Sequence, residues 1–193
     1  MGSRPALTVM LFHVTEERGI EQFEPRVSPD GRGPVVWAID ADHLRNYLVP
    51  RDCPRVTYYA GRETTEADAE RFLGSSTAVV AIEREWFDRA RSCRLYCYHL
   101  PDETFECIDA CAGYFVSRVA VTPACVDVFD DPVSELLHRG VELRIMENLW
   151  PLRDAVVASS LQFSVIRMRN ALPRTREPED CRRRNLPHRN RAR

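Results

Sequence analysis

Not one lysine occurs in this chain: all 27 basic residues are arginines. That absence removes every mechanism built on a Schiff-base lysine or a P-loop lysine. Arginine keeps its charge at any physiological pH and presents a planar fork suited to carboxylates and phosphates. Long apolar runs are missing as well. The apolar stretch near the start, Leu7 to Val14, is far shorter than the ~18 residues that cross a bilayer. No signal-peptide pattern is visible, and Ala6 stands where a myristoylation pattern requires Ser or Thr. The expectation is a cytoplasmic protein without membrane insertion. A zinc-knuckle C-x2-C is also lacking. Cys93, Cys97, His99, Cys107 and Cys111 fall within nineteen residues, but both cysteine pairs are spaced C-x3-C, and Cys93 and Cys97 on one extended strand would lie too far apart to grip one ion. No metal is therefore expected, and the seven cysteines read as reduced thiols.

What is present fits one domain. A chain of 193 residues that is 44% hydrophobic can bury a continuous core. The net charge of -2 conceals an asymmetry: residues 174–193 carry eight arginines against three acids, a balance of +5 that leaves the rest at -7. Residues 1–172 read as a single domain and 173–193 as a disordered arginine-rich tail, able to touch nucleic acid or an anionic surface.

Patterning predicts strands at Leu7–Val14, Val35–Ile39, Val56–Ala60, Thr77–Ile82, Arg94–Leu100, Thr104–Ile108, Tyr114–Val121 and Val141–Ile145. Asp40 or Asp42 can cap a short helix through Leu48, and Thr64-Thr65 opens a polar one. Asp131-Pro132 and Gly140 bracket the best-marked helix. From Pro151, the spacing of Leu152, Val156, Ser159, Phe163 and Ile166 predicts a long buried helix across the sheet. Few strands are joined by the helices that a parallel sheet requires, so the reading is an α+β fold with a mixed or antiparallel sheet and flanking helices.

His13 is the most suggestive single residue, near the end of a rigid strand where a side chain can point into a cleft and donate a hydrogen bond to a ribose hydroxyl. Phe12-His13-Val14-Thr15 resembles the first-strand signature of the ADP-ribosyltransferase-like superfamily, with Val14 where a glycine or another small residue is usual. The resemblance implies that His13 contacts the nicotinamide-side ribose of NAD. Val36-Trp37-Ala38-Ile39-Asp40 is similar to a strand-then-helix segment in which members place an aromatic, so Trp37 or Tyr47 is the stacking candidate. Arg51 and Arg55 suit a pyrophosphate, and Arg118, expected buried on a central strand, suits a phosphate or an internal carboxylate. Leu95 to Pro123 resembles the closing strands of the rifampicin-modifying and RNA 2′-phosphotransferase branches, where Glu106 and Asp109 are the candidate catalytic acids.

Segments such as LFHVTEERGIEQFEPR and VVWAIDADHLRNYLVPRDCPR also resemble an uncharacterised bacterial family of unknown function across residues 9–171. The implied activity is binding of NAD or a related nucleotide, with transfer of ADP-ribose or action on a phosphorylated acceptor. The alternative is a non-catalytic binding module with the same fold. The acceptor is not legible.

Overall fold

Residues 95–101 carry apolar side chains on both faces, which suits a central strand and not an edge. In the computed structural model, which describes residues 10–28 and 31–174, this segment is β6 (Leu95–Pro101). It pairs antiparallel with β1 (Met10–Thr15) along its whole length, from Met10 opposite Pro101 to Thr15 opposite Tyr96. The larger sheet runs in the order β7 (Phe105–Asp109), β8 (Tyr114–Ser117), β3 (Pro34–Ile39), β1, β6, β9 (Cys125–Phe129), with short β2 (Arg26–Val27) also paired to β3. A second sheet has the order β10 (Val141–Met146), β5 (Ala78–Glu83), β4 (Arg55–Tyr59), β11 (Gln162–Ile166). Its β10–β5 pair is parallel and its other pairs antiparallel. The mixed α+β class expected from the patterning is what the chain adopts.

Every residue of β5 is buried, because the small sheet is covered on both faces. Val80 and Ile82 meet Ile39, Leu44 and Cys97 between the sheets. Val79 and Ala81 lie on the other face, with Val56 and Tyr58, against Phe72 of α1 (Glu66–Phe72) and Val156 of α4 (Trp150–Val157). A third cluster, Leu11, Val36, Tyr98 and Leu100 with Phe23, covers the far face of the large sheet. Helix α2 (Phe87–Ser92) and α3 (Pro132–His138) complete the chain. The start of α3 is as expected, with Asp131 accepting from the Ser134 N–H at 3.1 Å and Pro132 in the first turn.

Two expectations are corrected. The long helix from Pro151 stops at Val157, and Phe163 lies on strand β11 with 43% of its surface exposed. Its four- and three-residue spacing with Ser159 and Ile166 is coincidental, since the segment Leu161 to Ile166 is short enough to satisfy either period. Arg118 is exposed just beyond β8 and donates to the Arg32 carbonyl at 3.2 Å, so it is no central-strand arginine. The described residues end at Arg174. The rest of the arginine-rich segment, with the disorder and the anionic partners expected for it, lies outside the described residues.

A buried carboxylate holds this C-terminal segment. Glu83, fully buried at the end of β5, accepts from the N–H of Leu149 at 3.1 Å and of Leu172 at 2.9 Å. The first contact also places a negative charge at the N-terminus of α4, where the helix dipole favours it. Trp150 Nε1 donates to the Leu172 carbonyl at 2.9 Å, and the Arg174 guanidinium lies over the Trp150 ring. Glu83→Ala strands the buried Leu149 N–H and releases the part-buried Leu172 N–H, and is expected to cost about 1–3 kcal/mol in urea denaturation. Phe163→Ala, in the same assay, is expected to cost under about 1 kcal/mol.

Candidate functional site

Strands β1 and β3 are paired at Phe12 and Ile39 and then diverge. Their separation leaves the Trp37 carbonyl without a ladder partner, and the imidazole of His13 takes it, with Nδ1 to Trp37 O at 2.9 Å. A carbonyl only accepts, so Nδ1 carries the proton. Burial, reinforced by Arg51 and Arg26, lowers the His13 pKa from its ordinary 6.5. The ring is thus neutral near pH 7, and Nε2 presents a lone pair with no hydrogen-bond partner among the described residues. This corrects one expectation: in this tautomer the free nitrogen can accept a hydrogen bond from a hydroxyl but cannot donate one.

The gap opens into a cavity of about 540 Å³ between the sheets. Phe12, His13, Val14 and Thr15 form one wall, Trp37 and Tyr114 another, Tyr47, Arg51 and Arg55 a third, and Val165, Ile166 and Arg167 a fourth. Trp37 meets Tyr114 edge to face, centroids 5.7 Å apart, and Tyr47 donates to the Tyr114 hydroxyl at 3.3 Å. Burial raises the Tyr47 pKa well above its ordinary range, so the hydroxyl is a fixed neutral donor. A second cleft of about 330 Å³ shares His13, Thr15, Trp37 and Arg51 with the first and continues past Glu17, Gln22, Glu24 and Arg26. Ser28, 5% exposed, lines it with a hydroxyl that has no partner among the described residues. The clefts adjoin at these shared residues and together form a trough.

Arg55 is only 2% exposed yet pairs with no carboxylate among the described residues. Its Nε donates to the Asn46 carbonyl at 2.9 Å, and its Nη1 donates to those of Cys53 at 2.9 Å, Arg51 at 3.3 Å and Pro50 at 3.5 Å. Burial lowers its pKa to about 10, so it is still a cation at neutral pH. The loop from Asn46 to Cys53 is therefore wrapped on a charge, and that charge forms part of the cavity wall.

Six of the expected binding residues, His13, Thr15, Trp37, Tyr47, Arg51 and Arg55, line this one cavity. The candidate acids do not. Glu106 and Asp109 are exposed on β7, an edge strand separated from β1 by β8 and β3, and neither lines either cleft. The carboxylates that do are Glu16, Glu17 and Glu24, and Glu16 already accepts from the Arg51 N–H and from Arg89. Sequence reasoning missed Tyr114 and Arg167. The alternation of Leu161, Phe163 and Val165 against Gln162 and Ser164 was the signal for a strand ending beside Arg167. Among the described residues, no three His, Cys, Asp or Glu side chains group as a metal would need. No helix there is long and apolar enough to cross a membrane.

Residues 12–171 match the family of unknown function DUF6886. The chain belongs to that family. The DUF6886 span contains every residue that lines the main cavity. No curated protein and no solved structure matches the chain at a significant level.

Arg55→Ala takes the guanidinium from the Asn46 and Cys53 carbonyls and leaves a void, and it is expected to lose about 3–5 kcal/mol of stability, with Arg55→Lys recovering little because one ammonium cannot reproduce the fork. Chemical denaturation measures both. His13 adds a pH dependence whose sign follows from its lowered pKa. Below pH 6.5 the unfolded chain takes up the proton that folded His13 resists, so this contribution is fully present above 6.5 and is lost as pH falls toward the folded value. The difference in stability between the protein and its His13→Ala variant should shrink on acidification through that window. A constant difference would show that His13 titrates alike in both states.

Proposed function

We propose that the trough binds NAD or a related nucleotide, as the likeness of β1 to the ADP-ribosyltransferase-like superfamily implies. The observation that carries the reading is His13 where the two clefts meet: its Nδ1 is held on the Trp37 carbonyl, its ring packs against Phe23, and its Nε2 has no hydrogen-bond partner among the described residues. Ribose supplies the hydroxyl donor that Nε2 needs, a base supplies a flat face for Trp37 or Tyr47, and phosphates supply the negative charge that Arg51 and Arg55 lack. A cavity of about 540 Å³ is of the size that small-molecule sites have.

Binding is better supported than turnover. Transfer of ADP-ribose calls for a carboxylate near the reacting ribose, to steady developing positive charge or to deprotonate the acceptor. The positions of Glu106 and Asp109 favour the second reading, a binding module that keeps the site without those acids. On the transferase reading the acid comes from Glu17 or Glu24, which line the second cleft beside His13.

Titration calorimetry of the whole chain with NAD and ADP-ribose, at a temperature where both proteins are folded, is expected to give binding that weakens at least about tenfold in His13→Ala. No heat at millimolar ligand would sink the nucleotide reading. Release of nicotinamide from NAD that disappears in Glu17→Gln or Glu24→Gln would overturn the non-catalytic alternative.

A further inference from the structure

Strand β11 ends at Ile166, and the next residue, Arg167, sits at φ 58° and ψ 25°. Among the described residues it is the one non-glycine with positive φ. That left-handed conformation is unfavourable for a long L side chain, far less so for glycine or asparagine. It persists where the surroundings over-determine it, and such residues concentrate at ligand clamps.

Here the turn delivers the guanidinium to the cavity wall beside the loop of Arg51. Nε of Arg167 and Nη1 of Arg55 both donate to the Arg51 carbonyl oxygen, each at 3.3 Å. One neutral acceptor thus holds two cations side by side. Compensating charge is scarce: Asp52, more than half exposed, approaches Nε of Arg167 at 3.8 Å, and Glu16 is engaged elsewhere. The Nη atoms of Arg167, like Nη2 of Arg55, make no hydrogen bond to another described residue. Burial lowers the Arg55 pKa, and the nearby charge of Arg167 lowers it further. Strain, crowded like charge and unused donors at one place all mark a site for an anion.

We propose that Arg167 is a phosphate clamp, its fork closing with Arg55 and Arg51 on a phosphoryl group. The inference rests on the nucleotide reading of the trough and names the part of the ligand that faces the end of β11. Two or more negative charges are needed to balance three guanidiniums, which favours a pyrophosphate or a terminal phosphate over a single carboxylate.

The test is calorimetry of the whole chain with ADP-ribose and, separately, inorganic pyrophosphate, on the protein and on Arg167→Gly and Arg167→Asn. Both substitutions suit the left-handed turn, so melting temperatures should hold or rise. Affinity for both probes should fall at least about tenfold, with partial recovery in Arg167→Lys. Unchanged affinity in the Gly and Asn variants would overturn the clamp and leave the nucleotide reading standing. Pyrophosphate binding that depends on Arg167, without any response to ADP-ribose or NAD, would support the clamp and remove the nucleotide. Failure of the unaltered protein to bind either probe would overturn both.

Discussion

The buried guanidinium of Arg55 is the constraint around which the rest of the site is arranged. Burying a charge costs several kcal/mol even after relaxation, and here the offset comes from main-chain carbonyls of Asn46, Pro50, Arg51 and Cys53, with no acid among them. The Pro50 carbonyl also accepts from the Cys53 N–H and that of Arg51 from Arg167, whereas those of Asn46 and Cys53 are held by Arg55. Loop and arginine therefore satisfy one another. The consequence is a rigid wall of net positive charge on one side of an otherwise apolar and aromatic cavity.

Opposite that wall, the separation of β1 from β3 does the complementary work. A sheet that stayed zipped past Phe12 and Ile39 would leave no space between those strands, and His13 would have no carbonyl to fix its tautomer. Because β1 is paired with β6 along its whole length, the strand keeps its place while its other edge opens. Rigidity on one edge and vacancy on the other let a strand residue serve a ligand with the geometric control that loops lack.

Much of this was legible before any coordinates. The capping pattern of Asp131-Pro132 fixed α3, β-branched runs located most strands, and the chemistry of His13, Trp37, Tyr47 and the arginines of the 51–55 loop pointed to residues that one cavity gathers. What sequence alone does not carry is pairing. Whether Glu106 and Asp109 face a cleft depends on β7 being an edge strand, a fact of strand order and not of local pattern. Strand β9 was missed because its residues are almost all exposed, leaving no alternation to detect. Arg167 was hidden for a related reason: a helical period was read into Phe163 and Ile166, and the left-handed turn that ends β11 has no glycine to announce it.

The trough is also assembled from distant parts of the polypeptide. Its walls come from β1 near one end, β3 and the loop after it, β8 in the middle, and the close of β11 near the other end. Such non-local closure makes folding slow relative to helical domains of similar size, because the entropy of joining remote segments must be lost before their contacts can form. A ligand site built from these walls would be complete only once β11 has docked on β4. A partly folded chain with both hydrophobic layers collapsed would still be blind to the ligand, which makes ligand capture a reporter of the finished topology and not merely of compaction.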